Sequence, residues 1–261
     1  MRLSFWAFVL TSGCFVGAYA QDNYEIQVYA SPTVPKGATR IETHHNFTFK
    51  GSKNPEGGTV PTHHAFHETL EITHGFTDWF ESAVYVFSSI NKGRGWQYVG
   101  SHFRPRVRAP DSWNLPVGLS LSTEFGYRRA KYVGDSWAWE IRPVIDKEMG
   151  KFYWAVNPVI GKSFKGPNQN AGFDFAPGVK TSYKVFKNAA FGMEYYGGLG
   201  ALRNFEPLKE QEHQFVPTID FTVAGKWDVN FGVGVGVTRN TDHLIVKMIV
   251  GRRVGGKKGQ N

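Results

Sequence analysis

The chain is poor in the features on which soluble enzymes and disulfide scaffolds depend. Of its 261 residues only Cys14 is a cysteine, which excludes an intramolecular disulfide framework and any CxxC-type zinc or redox site. Beyond the first twenty residues no stretch reaches the roughly 18 uninterrupted apolar residues of a membrane helix, so a helical membrane protein is excluded too. GxSxG, HExxH and the phosphate-loop pattern are missing, and Gly232 to Gly236 is Gly-x-Gly-x-Gly inside an alternating segment rather than a loop opening a helix. No catalytic residue and no cofactor is therefore expected. What the chain has in abundance is aromatic side chains, at 15%, and glycine, at 30 residues, together with 41% apolar content, enough for one large domain.

Arg2, the apolar run Phe5 to Val16 and Ala18-Tyr19-Ala20 before Gln21 match a secretory signal over residues 1–20, cut after Ala20. Thr11-Ser12-Gly13-Cys14 is a poorer match to a lipidation site at Cys14, because Thr11 stands where a leucine is usual. Loss of Arg2 leaves 29 bases against 22 acids, a formal charge of +7. An exported basic chain meets anionic lipid headgroups and solutes rather than nucleic acid. Residues 21–36, with Pro32 and Pro35, read as a periplasmic leader segment, 37–254 as the folded body and 255–261 as a polar tail.

From Gly37 onward the signal is alternation at period two. Val229, Phe231, Val233, Val235 and Val237 share a face opposite Asn230, Gly232, Gly234 and Gly236; Trp137, Trp139, Ile141, Pro143 and Ile145 share one opposite Ala138, Glu140, Arg142, Val144 and Asp146. Such segments recur at 37–50, 61–74, 78–90, 96–109, 116–128, 136–147, 152–164, 172–184, 189–200, 214–225, 228–238 and 242–252, twelve in all. Their connections tend to alternate between short and long, the pattern of an up-and-down antiparallel transmembrane β-barrel with both termini on the periplasmic rim. Twelve residues at ~3.3 Å each, tilted by about 40°, rise roughly 30 Å, enough for the ~25 Å apolar band of an outer membrane. Trp79, Trp113 and Trp227 fall at short-turn ends and Trp96 and Trp137 at long-loop ends, as two aromatic girdles would, although parity turns Trp79 inward. Outward Pro105, Pro143, Pro158, Pro177 and Pro217 imply bulges, kinks or missing ladder bonds.

The polar face then lines a lumen with seven acids, Glu71, Glu81, Glu124, Glu140, Asp174, Glu194 and Asp220, and seven bases, Arg104, Arg106, Arg108, Arg128, Arg142, Lys180 and Lys247. Charge at the lipid face costs about 2–4 kcal/mol at mid-bilayer, so these groups point inward, and their balance implies pairing. Hairpin arithmetic places Arg104 across from Glu124, Glu124 across from Glu140 with Arg142 diagonal, and Glu71 across from Glu81 with Arg106 as the bridge. Inward Tyr85, Phe87, Tyr153 and Tyr196 offer apolar contacts to a ligand or simply fill space. His44, His63 and His67 face the outer mouth by parity; two of them, four apart on a strand, lie about 13 Å from each other, so a metal would need His44 with one partner across the hairpin. Inward Gly192, Gly198, Gly200, Gly232, Gly234 and Gly236 leave volume, and twelve strands enclose more than side chains alone fill, so a narrow channel or a lumen occluded by loops or by residues 21–36 is expected.

The runs His67-Glu68-Thr69-Leu70-Glu71, Gly75-Phe76-Thr77-Asp78-Trp79-Phe80-Glu81, Trp139-Glu140-Ile141-Arg142-Pro143, Glu194-Tyr195-Tyr196-Gly197 and Asn230 to Val237 resemble a family of small Gram-negative outer-membrane barrels that carry transporter names, some linked to phenol-degradation pathways. The resemblance covers most of residues 37–252. It implies a barrel and passage of small solutes, aromatic ones among them, and no catalytic residues. The end of the chain departs from the usual pattern: Leu244 to Val254 is followed by Gly255-Gly256-Lys257-Lys258-Gly259-Gln260-Asn261 rather than by a terminal aromatic. The resulting reading is a passive outer-membrane channel or uptake component with lipid and small-solute partners. The alternatives are a sealed structural or surface-interaction barrel, a lipid-modifying outer-membrane enzyme and a soluble periplasmic β-sandwich.

Overall fold

The computed structural model describes residues 23–54 and 58–256. The signal segment 1–20, Cys14 and the tail beyond Gly256 lie outside the described residues.

Alternation becomes twelve long strands: β1 (Ala38–Lys50), β2 (Phe66–Gly75), β3 (Phe80–Asn91), β4 (Gly95–Arg108), β5 (Gly118–Arg128), β6 (Trp137–Met149), β7 (Phe152–Lys165), β8 (Asp174–Phe186), β9 (Ala189–Gly198), β12 (Glu212–Val223), β13 (Trp227–Gly236) and β14 (Leu244–Gly255). The two-residue strands β10 (Gly200–Ala201) and β11 (Asn204–Phe205) form a small hairpin in the connection from β9 to β12. Each long strand pairs antiparallel with its neighbours, and β1 closes the sheet on β14 from Ala38↔Gly255 to Lys50↔Leu244. The result is a closed antiparallel β-barrel, with the start of β1 and the end of β14 on the rim that carries the shorter turns.

The two faces of each strand differ as a membrane wall requires. Phe103 is 51% exposed and its neighbour Arg104 3%; Val84 is 50% exposed while Glu81 is fully buried. Phe231 and Val235 also lie on the exposed face, so no second sheet covers them, as it would in a sandwich. Apolar residues exposed to water at this density would drive aggregation, whereas against acyl chains they carry no penalty. Trp79, Trp113, Trp227, Trp96 and Trp137 are all exposed at the two rims. Trp79 departs from the inward direction given by parity because β3 begins at Phe80, leaving Trp79 in the turn.

Four of the five outward prolines are accommodated by missing pairs rather than by bulges, while Pro177 pairs with Pro158 in an uninterrupted β7–β8 ladder. The β4–β5 ladder is interrupted beside Pro105, between Phe103↔Phe125 and Arg106↔Ser122, and keeps one register on both sides. The same happens in β6–β7 between Ile141↔Ile160 and Ile145↔Val156, around Pro143 and Pro158, and in β12–β13 between Phe215↔Val235 and Thr218↔Gly232, around Pro217. Proline has no N–H to give, so the ladder loses a bond while the chain keeps its direction.

Candidate functional site

The lumen is occupied. Residues 23–36, read as a leader before β1 and as one of the segments able to occlude the lumen, run in extended form inside the barrel before the chain turns into β1. Tyr24, Ile26, Val28, Tyr29 and Val34 are buried, and they split the interior into two apolar clusters. Tyr24 packs with Tyr85, Phe87, Val99 and Val133; Ile26 and Val28 pack with Ala155, Tyr196, Val216 and Ile245. Each side chain fully removed from water in this way contributes about 1.5–3 kcal/mol. The inward glycines explain where the room comes from. A Cβ on Gly234 would fall 2.6 Å from Ile245 Cγ2, and one on Gly232 2.7 Å from Val216 Cγ1, so these positions are bare because the residues that touch the segment lean over them.

An extended segment with no strand partner must satisfy its backbone elsewhere. Side chains from around the wall do so. Asn46 Nδ2 donates to Asn23 O (2.8 Å), Thr69 Oγ1 to Tyr24 O (2.6 Å) and Lys247 Nζ to Ile26 O (2.9 Å). Asn157 Oδ1 accepts from Tyr29 N–H (2.6 Å) while its Nδ2 donates to Tyr29 O (3.1 Å). Arg106 donates to Ala30 O (2.9 Å) and Pro32 O (2.8 Å), Asp146 Oδ2 accepts from Ser31 N–H (2.9 Å) and Glu81 Oε2 from Val34 N–H (2.5 Å). Asn23 Nδ2 donates to Asp242 in the β13–β14 loop (2.6 Å) and Lys36 N–H to Asp78 in the β2–β3 turn (3.3 Å), so the segment reaches from the long-loop mouth to the short-turn rim.

The wall charges gather around this segment in three groups. Arg104 bridges Glu71 (2.7 Å) and Glu81 (3.0 Å), and Arg106 adds a second contact to Glu81 (2.8 Å). The bridge between the two acids is therefore Arg104 rather than the expected Arg106. Glu71 and Glu81 are not opposite: the turn covers 76–79, Gly75 pairs with Glu81 and Glu71 faces Tyr85. Tyr29 is the hub of this group, with the guanidinium carbons of Arg142, Arg104 and Arg106 at 4.3, 5.1 and 5.6 Å from its ring centre and its hydroxyl bonded to Glu25 and to Tyr85 (3.0 Å).

In the second group Lys247 pairs with Glu194, and Lys180 lies between Glu194 (3.1 Å) and Asp220 (2.8 Å). Tyr196 donates to Glu194 (2.6 Å), and Tyr153 donates to Asp146 (3.0 Å) at its edge. In the third group Glu124 faces Glu140 across β5–β6, as the hairpin arithmetic placed it. Arg142 binds Glu140 (2.9 Å), but Arg104 turns away to Glu71 and Glu81, and the partner of Glu124 is His102, which sequence reasoning passed over. The expected four-charge cluster of Arg104, Glu124, Glu140 and Arg142 thus divides, because a long guanidinium can swing to either neighbouring strand and two carboxylates attract it more than one.

Several expected positions lie apart from these groups. Arg108 sits at the rim and pairs with Asp111; Arg128 stands 5.9 Å from the Phe87 ring; Asp174 is half-buried towards the outer mouth. His44 is fully buried, 3.5 Å from Glu71, and His67 packs edge-on to Tyr24. His63 is not on a wall strand, because β2 starts at Phe66; it stacks on His64 in the β1–β2 loop, and desolvation, then His64 and Lys53, lower its pKa. No group of three metal-ligating side chains occurs among the described residues, and these histidines do not converge.

Two open spaces remain beside the segment among the described residues. One, of about 460 Å³, lies towards the short-turn rim beside Gln27 and Val28, lined by Arg40, Glu42, Lys180 and Asp220 among others. A second cavity, of about 140 Å³, lies between Glu25 of the segment and the walls of β3 to β9, lined among others by Phe87, His102, Glu124, Glu140 and Tyr196.

No family model matches the sequence, and no curated protein is similar to it. Among solved structures the chain is similar to the KdgM porin, at 12% identity and a TM-score of 0.51, over 84% of this chain and 99% of that one. A KdgM porin in complex with disordered oligogalacturonate gives 11% and 0.53 over the same shares, and the NanC porin 7% and 0.51 over 84% and 100%. At such identities the likeness is one of fold: an outer-membrane β-barrel of matching size.

Proposed function

We propose that this protein is an outer-membrane passage for small solutes, without catalytic activity, and that the state described is its closed one, with residues 23–36 as an internal strap. The observation that carries this reading is the set of wall side chains, Asn46, Thr69, Arg106, Asp146, Asn157 and Lys247, bonded to the backbone of that strap. Contacts to backbone and to modest apolar side chains can be released without unfolding the wall, whose strands bond to one another. The likeness in fold to porins supports the same reading, and the cleavage after Ala20 expected from the sequence would leave the strap with a free end. An acidic oligosaccharide such as the one held by KdgM suits this lumen poorly, since its acids balance its bases.

A cysteine lock tests the reading. A Cβ on Gly178 falls 3.5 Å from Val28 Cγ2, within reach of a disulfide between Val28→Cys and Gly178→Cys, and a chain cut after Ala20 has no other cysteine. In planar bilayers the oxidised variant is expected to be silent and to conduct once reduced. A second reading, a sealed structural barrel, draws on the two apolar clusters that fill the space beside the strap. Silence in both redox states, and in a variant lacking residues 23–34, would establish the sealed barrel and end the channel reading.

A further inference from the structure

The smaller cavity, between Glu25 and the walls of β3 to β9, combines apolar walls with polar groups that are only partly used. Its bases are engaged: Arg142 binds Glu140 and approaches Glu25 (4.0 Å), Lys162 Nζ donates to Gln169 O (2.8 Å), and Arg128 stands over the Phe87 ring (5.9 Å). Two of its acids are satisfied as well, Asp135 by Asn168 (2.9 Å) and Glu25 by the Tyr29 hydroxyl. What remains is a set of acceptors. His102 Nδ1 is bonded to Glu124 Oε1, which leaves Glu124 Oε2 and His102 Nε2 without a partner, and Asp174 Oδ1 is also without one. All three residues line the cavity, with Glu124 5% and His102 8% exposed. Buried acceptors left unbonded cost about 1–3 kcal/mol each, and those that face a cavity are the ones an entering ligand can complete.

The surroundings of these atoms are built rather than incidental. Gly126 lies across from His102, and a Cβ there would fall 2.2 Å from His102 Cδ2, so only glycine lets the imidazole lie flat against β5 and keep its bond to Glu124. Phe87, Val133, Val159 and Tyr196 supply apolar walls around the acceptors. The volume of about 140 Å³ resembles that of engineered cavities of ~150 Å³ that take up a benzene ring.

We propose that this cavity is a binding site for a small primary amine with a ring-sized apolar body, its ammonium donating to Glu124 and His102, with Asp174 adding negative charge farther along the same cavity, and its ring against Phe87 and Tyr196. An ammonium carries three donors and no acceptor, the complement of what the cavity leaves open, and aromatic faces favour a cation over an anion. A neutral alcohol has a single donor, and a carboxylate would face Glu124 and Glu140 directly. This names a solute class for the passage proposed above and rests on that reading only for transport, since binding is measured separately.

The test uses refolded full-length protein in detergent micelles, titrated calorimetrically with 2-phenylethylamine, 2-phenylethanol and phenylacetate. The amine is expected to bind at least about ten-fold more tightly than the alcohol, with phenylacetate undetected, and Glu124→Gln is expected to weaken the amine by about ten-fold or more, with a smaller loss for Asp174→Asn. Equal binding of amine and alcohol, preference for phenylacetate, no binding of the amine, or unchanged binding in Glu124→Gln would overturn the proposal. The wild-type ligand series stands whether or not the variants fold. Amine binding without conductance in the lock experiment leaves the site and removes the passage; conductance without amine binding does the reverse.

Discussion

The two sides of the lumen are made from the same alternating polar pattern and end in different states. On the β1–β4 side Glu71 and Glu81 both meet arginines, and Arg106 continues from Glu81 to the carbonyls of the strap. On the β5–β8 side Glu124 meets only an imidazole, Glu140 finds its arginine two residues along the same strand, and a cavity stays open. The difference comes from where the long bases start. Arg104 and Arg106 lie on β4, next to the acids of β3 and within reach of β2, so their charge is drawn to one side. A buried pair with partners on neighbouring strands ties wall and strap together; an acid left with a weaker partner keeps chemistry available for something that enters.

The largest expected effect breaks the tied side. Arg104→Ala leaves Glu71 buried without its arginine and Glu81 with only Arg106, and removal of one partner from a buried pair costs about 3–5 kcal/mol. The thermal midpoint of the heat-modifiable gel shift should fall accordingly, and a loss under about 1 kcal/mol would mean that these charges are hydrated and the side is not tied.

A smaller change should separate strap from wall. Arg106→Ala leaves Glu81 its bond to Arg104 but frees the carbonyls of Ala30 and Pro32. Lost charged hydrogen bonds of this kind cost about 1.5–3 kcal/mol, here taken mainly from the seated strap. Open time in planar bilayers is expected to rise while the gel-shift midpoint moves less than in Arg104→Ala. The opposite order would place Arg106 in the wall's own stability instead.

How much of this could be read from residues alone depends on what fixed each feature. The strands and their faces were legible because lipid on one side and charge on the other enforce period two over about a dozen residues at a time. Glu124 opposite Glu140 was legible because the β5–β6 loop is nearly symmetric about Tyr132. Glu71 opposite Glu81 failed by the width of one turn, 76–79 in place of a tighter one at Phe76. The swing of Arg104 was not legible, since parity sets the face of a side chain but not which neighbour it reaches. The strap was half legible: Tyr24, Ile26 and Val28 alternate like a buried strand, yet bonds from side chains to backbone leave no period in sequence. His102 left only one signal, Gly126 at the facing position.

The smallest expected effect on stability is the one that sharpens the comparison most. Glu124 and Glu140 are directly paired across β5–β6, and like charges so placed disfavour folding by up to about 1 kcal/mol. A glutamine side chain in place of Glu124 would keep an oxygen for the His102 Nδ1–H while losing that repulsion, so Glu124→Gln should leave the gel-shift midpoint unchanged or slightly raised. A residue that can be neutralised without loss of stability, in a barrel where Arg104 cannot be removed, is held for some purpose other than folding. If Glu124→Gln instead lowered stability by about 2 kcal/mol or more, Glu124 would belong with Glu71 and Glu81, and the two sides of the lumen would be one salt-bridged interior with an accidental gap.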